Sequence, residues 1–166
     1  MAPNASRYDL PALWTAHIAA IAILLMLLLT VLVVVMRYGF ATGSIALQEA
    51  ITYCHAFAFL MGAAYTLQQD GHVRVDIFYR HFSPRQQAWV NAAGILLFLI
   101  PFALFLLACS WQMFLQSWQI REGSPDPGGL PFLYLLKGVV PLSMALLVFQ
   151  GGILFFRAAR TLVVRE

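Results

Sequence analysis

A chain of 166 residues has room for one domain, or two at most. Its side chains are 61% hydrophobic and only 10% charged, where soluble domains carry about 25% charged residues. A soluble fold this small leaves about 30% of its unfolded-chain surface wet, more than ten Lys and Arg with seven Asp and Glu can cover. This excludes an ordinary cytosolic enzyme and a disordered chain. A nucleic-acid binder is excluded too, because the basic residues behind the net charge of +3 are scattered and form no stripe. The composition is that of an integral membrane protein.

The first apolar run, Ile18 to Met36, is interrupted only by Thr30, and Trp14 precedes it at a position suited to headgroups. It is longer than the apolar region of a secretion signal, and it ends in Met36-Arg37-Tyr38-Gly39-Phe40 with no small-x-small cleavage site. It is therefore expected to remain as a membrane span, at about residues 14–36.

The second span, about 47–69, is the least apolar. Gln48, Glu49, Thr52 and His55 fall within an arc of about 120° at helical spacing, so one face is polar and is expected to meet protein. Glu49 is the one acid placed near a span interior, and burying an acid there is costly enough to make it a functional candidate. Arg37, which closes the first span at the same side, is its expected partner. Direct ion or proton handling by Glu49 is the lesser alternative.

The following loop carries Gly71-His72-Val73-Arg74-Val75-Asp76. An unpaired strand at a membrane edge would leave backbone groups unsatisfied, so a short interfacial helix is expected. Val75, Phe78, Tyr79 and Phe82 would share its apolar face, with Arg74, His81 and Arg85 reaching headgroups or a partner. A plain basic loop, or an Arg74–Asp76 pair fixing the turn, are the alternatives.

The third span, about 84–119, starts at a capping box: Ser83 caps, Pro84 takes the first helical position and Gln86 completes it. As one helix it would run about 54 Å and must tilt or protrude. Pro101 should kink it. Trp111, Phe114, Leu115 and Trp118 form an aromatic stripe, apart from Gln112, Gln116 and Gln119. The stripe is expected to face a partner or lipid.

Gly123 to Pro131, with Asp126-Pro127-Gly128-Gly129 inside it, has turn chemistry. The fourth span, about 134–159, contains Pro141 as a second kink site. Lys137 at one end and Arg157 and Arg160 at the other are expected to snorkel to headgroups. Asn91, Ser143 and Gln150 could hydrogen-bond between helices, and Gly151-Gly152 permits close approach.

Seven Lys and Arg flank the spans at the N-terminus, the second loop and the tail, against three in the first and third loops. Cytoplasmic loops carry the excess, so both termini are expected in the cytoplasm. Cys54 and Cys109 have no metal-ligand spacing and are expected to be small buried fillers. A haem held by two histidines needs ligands at matching depth, and His17 and His55 belong near opposite sides of the bilayer. An exporter would want an acid at mid-span, and Glu49 is near an end. No catalytic set, metal or cofactor is expected.

Arg37-Tyr38 closing the first span, Gln48-Glu49 opening the second and the Gly71-to-Asp76 element after it resemble the small membrane subunit of the tripartite ATP-independent periplasmic (TRAP) transporters, the DctQ-like family. The resemblance extends through Ser117-Trp118, Glu122, Ser124 and Asp126 to Pro131, as far as Lys137. That late stretch looks like the branch labelled for mannitol, chloroaromatic or keto-acid uptake, labels that do not fix a substrate. It implies an all-α, four-helix integral membrane bundle forming a single domain over 1–166, with long tilted helices and the interfacial helix between the second and third spans. The subunit would be a non-enzymatic scaffold in the bacterial inner membrane, without cofactor. Its implied partners are a large multi-span subunit, a periplasmic solute-binding protein and membrane lipids, with no nucleic acid. The transporter would take up an organic acid coupled to sodium. Arg37, Glu49, His72, Arg74, Asp76, Trp111 and Trp118 are the expected structural and interface residues. A stand-alone small transporter, a redox membrane anchor and a transient assembly factor are the competing classes.

Overall fold

The computed structural model describes residues 10–69, 79 and 81–163. Four helices carry them: α1 (Leu10–Gly39), α2 (Ile45–Gln68), α3 (Pro84–Gln119) and α4 (Leu133–Val163). Each is long and apolar enough to cross a membrane. At 36 residues, α3 measures about 54 Å, well beyond the roughly 30 Å of hydrocarbon, so it must tilt or protrude. The first and fourth expected spans fall within α1 and α4, the second overruns the end of α2 by one residue, and the third coincides with α3.

The helix ends follow from local chemistry. Ser44 caps α2 by accepting from the Leu47 amide. At α3 the capping box is complete: the Ser83 hydroxyl accepts from the Gln86 amide, and the Ser83 amide donates to Gln86 Oε1 at 2.8 Å. Past the end of α1, Ala41 takes a left-handed conformation (φ 52°), and the Met36 carbonyl accepts from the Phe40 and Thr42 amides.

The disruption expected at Pro101 is a π-helical turn just before it, Ile95–Leu99. Pro101 has no N–H, and its ring would strike the Leu97 carbonyl in a regular helix. Widening the preceding turn by one residue relieves the clash and sends the Ile100 amide back to the Ile95 carbonyl. The same bulge packs on α4 at Gly151, where a Cβ would lie 2.9 Å from Leu99 Cδ2. Gly152 faces open space.

At the centre α2 packs on α4, with α1 laid against α2 and α3 against α4. The contacts are made by small side chains: Ala19 and Ala22 of α1 meet Ala58 of α2, with Phe57 packed against them. Further buried positions are Ala88, Ala92 and Ala103 of α3 and Met61 and Ala64 of α2. Without a hydrophobic drive between helices in lipid, close backbone approach supplies the attraction. The large apolar side chains instead point outward, along the whole of α1 above all.

Cys109 is exposed and Cys54 only half-buried, so the pair are not the buried fillers expected. Cys109 lies on an outward face of α3, where hydrocarbon accepts a thiol as readily as a packed core does. Of the expected interfacial helix, the part with His72, Arg74, Val75, Asp76 and Phe78 lies outside the described residues, while Tyr79 is helical and half-buried and Phe82 is exposed.

Candidate functional site

The charged groups among the described residues gather at the two ends of the bundle. At one end α2 begins and the α3–α4 connection crosses. Helix α3 stops at a Schellman arrangement, in which the Arg121 amide donates to the Trp118 carbonyl and the Glu122 amide to the Ser117 carbonyl. This places Arg121 in the left-handed region (φ 50°), an uncommon position for a non-glycine residue. Its guanidinium lies 4.6 Å from the Trp118 ring centroid and 5.3 Å from that of Tyr134, so two cation–π contacts hold it there.

The connection then turns through Asp126 to Gly129. Pro127 and Gly128 occupy the central positions, Gly128 has φ 82°, and the Gly129 amide donates to the Asp126 carbonyl at 3.0 Å. These are the signatures of a type II turn, as the Pro-Gly pair requires. One rung joins its flanks, from the Ser124 amide to the Leu130 carbonyl at 2.9 Å.

The second rung is supplied by Glu49. The Leu130 amide donates to Glu49 Oε2 at 2.6 Å and the Ser124 hydroxyl donates to Glu49 Oε1. A carboxylate on α2 thus substitutes for a backbone carbonyl and ties the connection down. Gly129 makes room for it, since a Cβ there would lie 2.7 Å from Glu49 Oε1.

The expected Glu49–Arg37 pair is therefore not formed. Both carboxylate oxygens are occupied by the connection, and Arg37 is exposed at the end of α1. Lys137 likewise does not simply snorkel: its ammonium pairs with Glu122 at 2.5 Å. That hydrogen bond holds the Glu122 carboxyl below its ordinary value. The Tyr134 amide donates to the Glu122 carbonyl, so the ion pair and backbone together fasten the start of α4.

The aromatic stripe divides. Phe114 turns inward onto Gly138 of α4, where a Cβ would meet its ring at 2.8 Å. Trp111 and Trp118 flank it, with centroids 5.8 and 5.6 Å away, and remain about half exposed. Trp118 also stands edge-on to Tyr134 at 5.3 Å. The stripe is thus half a helix–helix contact and half outward-facing.

At the opposite end, Asn91 Nδ2 donates to the Tyr79 hydroxyl at 2.9 Å. Gln87 Nε2 donates to the carbonyls of Tyr79 and Phe82. These groups border an open cavity of about 340 Å³ that also touches Arg157 and Thr161 of α4. Ser143, expected to bond between helices, donates to Val140 of its own helix. Gln150 is only 2% exposed, and its Nε2 has no hydrogen-bond partner among the described residues.

Between α1, α2 and α4 lies a second cavity of about 430 Å³, lined by side chains such as Ile18, Ile21, Phe57 and Val139. Tyr53 borders it, one helical turn beyond Glu49. Among the described residues no three His, Cys, Asp or Glu side chains are grouped as metal ligands. The carboxylates are engaged in holding backbone and ammonium groups, an arrangement that fixes architecture.

Sequence reasoning picked out Glu49 and missed what it binds. The clue was the Ser124-Pro125-Asp126-Pro127-Gly128-Gly129 stretch, whose second glycine is one more than a Pro-Gly turn needs.

The sequence model of the DctQ component of the tripartite ATP-independent periplasmic transporters matches residues 26–161. That segment runs from within α1 to the last turn of α4. The chain is 25% identical over 145 residues to the C4-dicarboxylate TRAP transporter small permease protein DctQ of Vibrio cholerae. The match covers 75% of this chain and 62% of the Vibrio protein's length. No solved structure matches the chain. With a family match that spans all four helices, the chain belongs to the DctQ component family of tripartite ATP-independent periplasmic transporters.

Proposed function

We propose that the chain is the scaffold subunit of a TRAP transporter, supporting a large permease in sodium-coupled, binding-protein-dependent uptake of an organic acid. The observation that carries this reading is where the charge sits. Among the described residues every Asp, Glu, Lys and Arg lies near a helix end or in a connection, and Glu49, Glu122 and Lys137 are engaged in fastening the α3–α4 connection. Moving an anionic solute requires a polar site near the bilayer midplane, commonly at broken helices. A subunit whose described charges all lie away from that depth serves a partner that supplies the site.

In this reading the chain sits in the bacterial inner membrane with both termini cytoplasmic, as its Lys and Arg distribution supports. The Glu49 end then faces the periplasm, and the tied-down connection contributes to the surface that receives the solute-binding protein. The helices enlarge the stationary part of the permease, so that the moving part works against an anchored frame. Arg37 on the periplasmic side, and His72, Arg74 and Asp76 on the cytoplasmic side, would fix the register of the two subunits, and the exposed ends of Trp111 and Trp118 would meet the permease or lipid.

Affinity purification of the tagged chain from its native membrane tests this. A much larger membrane protein should be retained in constant stoichiometry, and recovery of the chain alone under mild detergent would contradict the reading.

A further inference from the structure

The outward surfaces of α1 and α2 are opposite in character. Along α1 from Ile18 to Val35 the exposed positions are Ile, Leu and Val apart from Ala20 and Thr30, the surface hydrocarbon favours. Along α2 the exposed positions include Gln48, Thr52, His55, Phe59 and Thr66. At 100° per residue these five fall within an arc of about 60°, and four of them are polar. The opposite side of α2 holds the buried Met61 and Ala64 that pack within the bundle. Glu49, grouped with this strip by spacing alone, turns aside to Ser124 and Leu130 and is not part of it.

The hydroxyls of Thr52 and Thr66 are satisfied by their own helix, at the Gln48 and Gly62 carbonyls. Gln48 and His55 make no side-chain hydrogen bond to another described residue. His55 lies about 15 Å along the axis from Ile45, roughly half the hydrocarbon thickness, and an imidazole is too short to reach headgroups from there. Leaving an imidazole against lipid tails costs free energy that a protein partner with hydrogen-bonding groups removes, and the Gln48 amide, one turn into the helix, offers the same partner a second contact at the membrane edge. Gly62 borders the same strip with nothing within 4 Å of where its Cβ would be, so a partner backbone can come close.

We infer that the Gln48–Thr52–His55 strip of α2 is the docking face for a membrane-spanning helix of the large permease, one that presents hydrogen-bonding side chains to Gln48 and His55. This rests on the scaffold function proposed above and names the face that function uses. Phe59, 73% exposed in the middle of the strip, is the apolar anchor of that contact.

The test is site-specific photo-crosslinking in native membranes holding the complete transporter, with p-benzoyl-phenylalanine placed singly at positions 52, 55 and 59 of α2 and, as a control, at position 28 of α1. The α2 positions should label the large permease at least about fivefold more strongly than position 28. In a companion measurement, Gln48→Leu with Thr52→Val and His55→Leu should lower the permease retained per tagged chain about tenfold, the scale of two lost intramembrane hydrogen bonds. Leu24→Ala with Leu28→Ala should change it less than about twofold. If the unmodified chain retains the permease while the α2 positions label only lipid or a second copy of this chain, the face is wrong and the scaffold reading survives. Equal labelling from position 28 overturns the face as well. If the unmodified chain retains no permease, both fall together.

Discussion

Glu49 and Leu130 lie 81 residues apart in the chain, and the carboxylate of the first accepts the backbone N–H of the second at 2.6 Å. The contact binds the first third of the molecule to the connection between its last two helices. A hydrogen bond to a charged acceptor contributes about 1.5–3 kcal/mol, and removing the acceptor also strands the donors. Glu49→Ala should therefore destabilise the folded chain by about 2 kcal/mol in detergent unfolding. Ser124→Ala, which removes one of the two donors, should cost about 1 kcal/mol. Hydrogen exchange at the Leu130 amide reports the contact locally: protection should disappear in Glu49→Ala and persist in Ser124→Ala.

The three glycines tested by geometry should separate cleanly. Gly129→Ala would put a Cβ 2.5 Å from Ser124 Cβ and 2.7 Å from Glu49 Oε1, so the Ser124–Glu49 contact must open and the loss should approach that of Glu49→Ala, about 2 kcal/mol. Gly128→Ala, with open space but φ 82°, should cost about 1 kcal/mol of backbone strain. Gly152→Ala sits in a helix with nothing near it and should be neutral or stabilising by up to about 1 kcal/mol. Unfolding midpoints of the three variants check the order.

Arg121 combines an unfavourable backbone conformation with favourable stacking on Trp118 and Tyr134. Arg121→Ala keeps the strain and loses the stacking, for an expected cost of about 1 kcal/mol. Arg121→Gly loses the stacking and relieves a comparable strain, so it should be near neutral. Equal destabilisation by the two would show that the left-handed conformation is not a significant term.

The Glu122–Lys137 pair gives a pH dependence of definite sign. The Glu122 carboxyl is held below its ordinary value of 4.5 by the Lys137 hydrogen bond, so the unfolded chain binds the proton more readily than the folded one. The pair's contribution is present above about 4.5 and is lost as pH falls through the lower folded value. Unfolding midpoints of the unaltered chain and of Lys137→Met should differ at neutral pH and converge in acid. A difference that grew as pH fell would contradict the assignment.

Much of the fold was legible because the membrane restricts what a chain can do. Length of apolar run fixed the four helices, and Ser83, Pro84 and Gln86 marked the start of α3 to the residue. Pro101 announced an irregularity, but not that the widened turn before it would pack on Gly151, a contact between distant segments. The polar site was half legible. Glu49 stood out because an acid near hydrocarbon demands a partner, and Arg37 was the obvious charge of opposite sign. The true partners, a hydroxyl and a backbone amide, leave almost no mark in sequence, since every residue but proline carries the amide. Lys137 was misjudged for the related reason that Glu122 reaches it only once the Schellman turn has reversed the chain.

Reconstitution in proteoliposomes with an imposed sodium gradient tests the scaffold function most directly. Vesicles holding this chain alone should take up no organic acid, and uptake should appear when the large permease and the loaded binding protein are added and fall sharply when the chain is left out. Solute accumulation by the chain alone, or full uptake by the permease without it, would contradict the account.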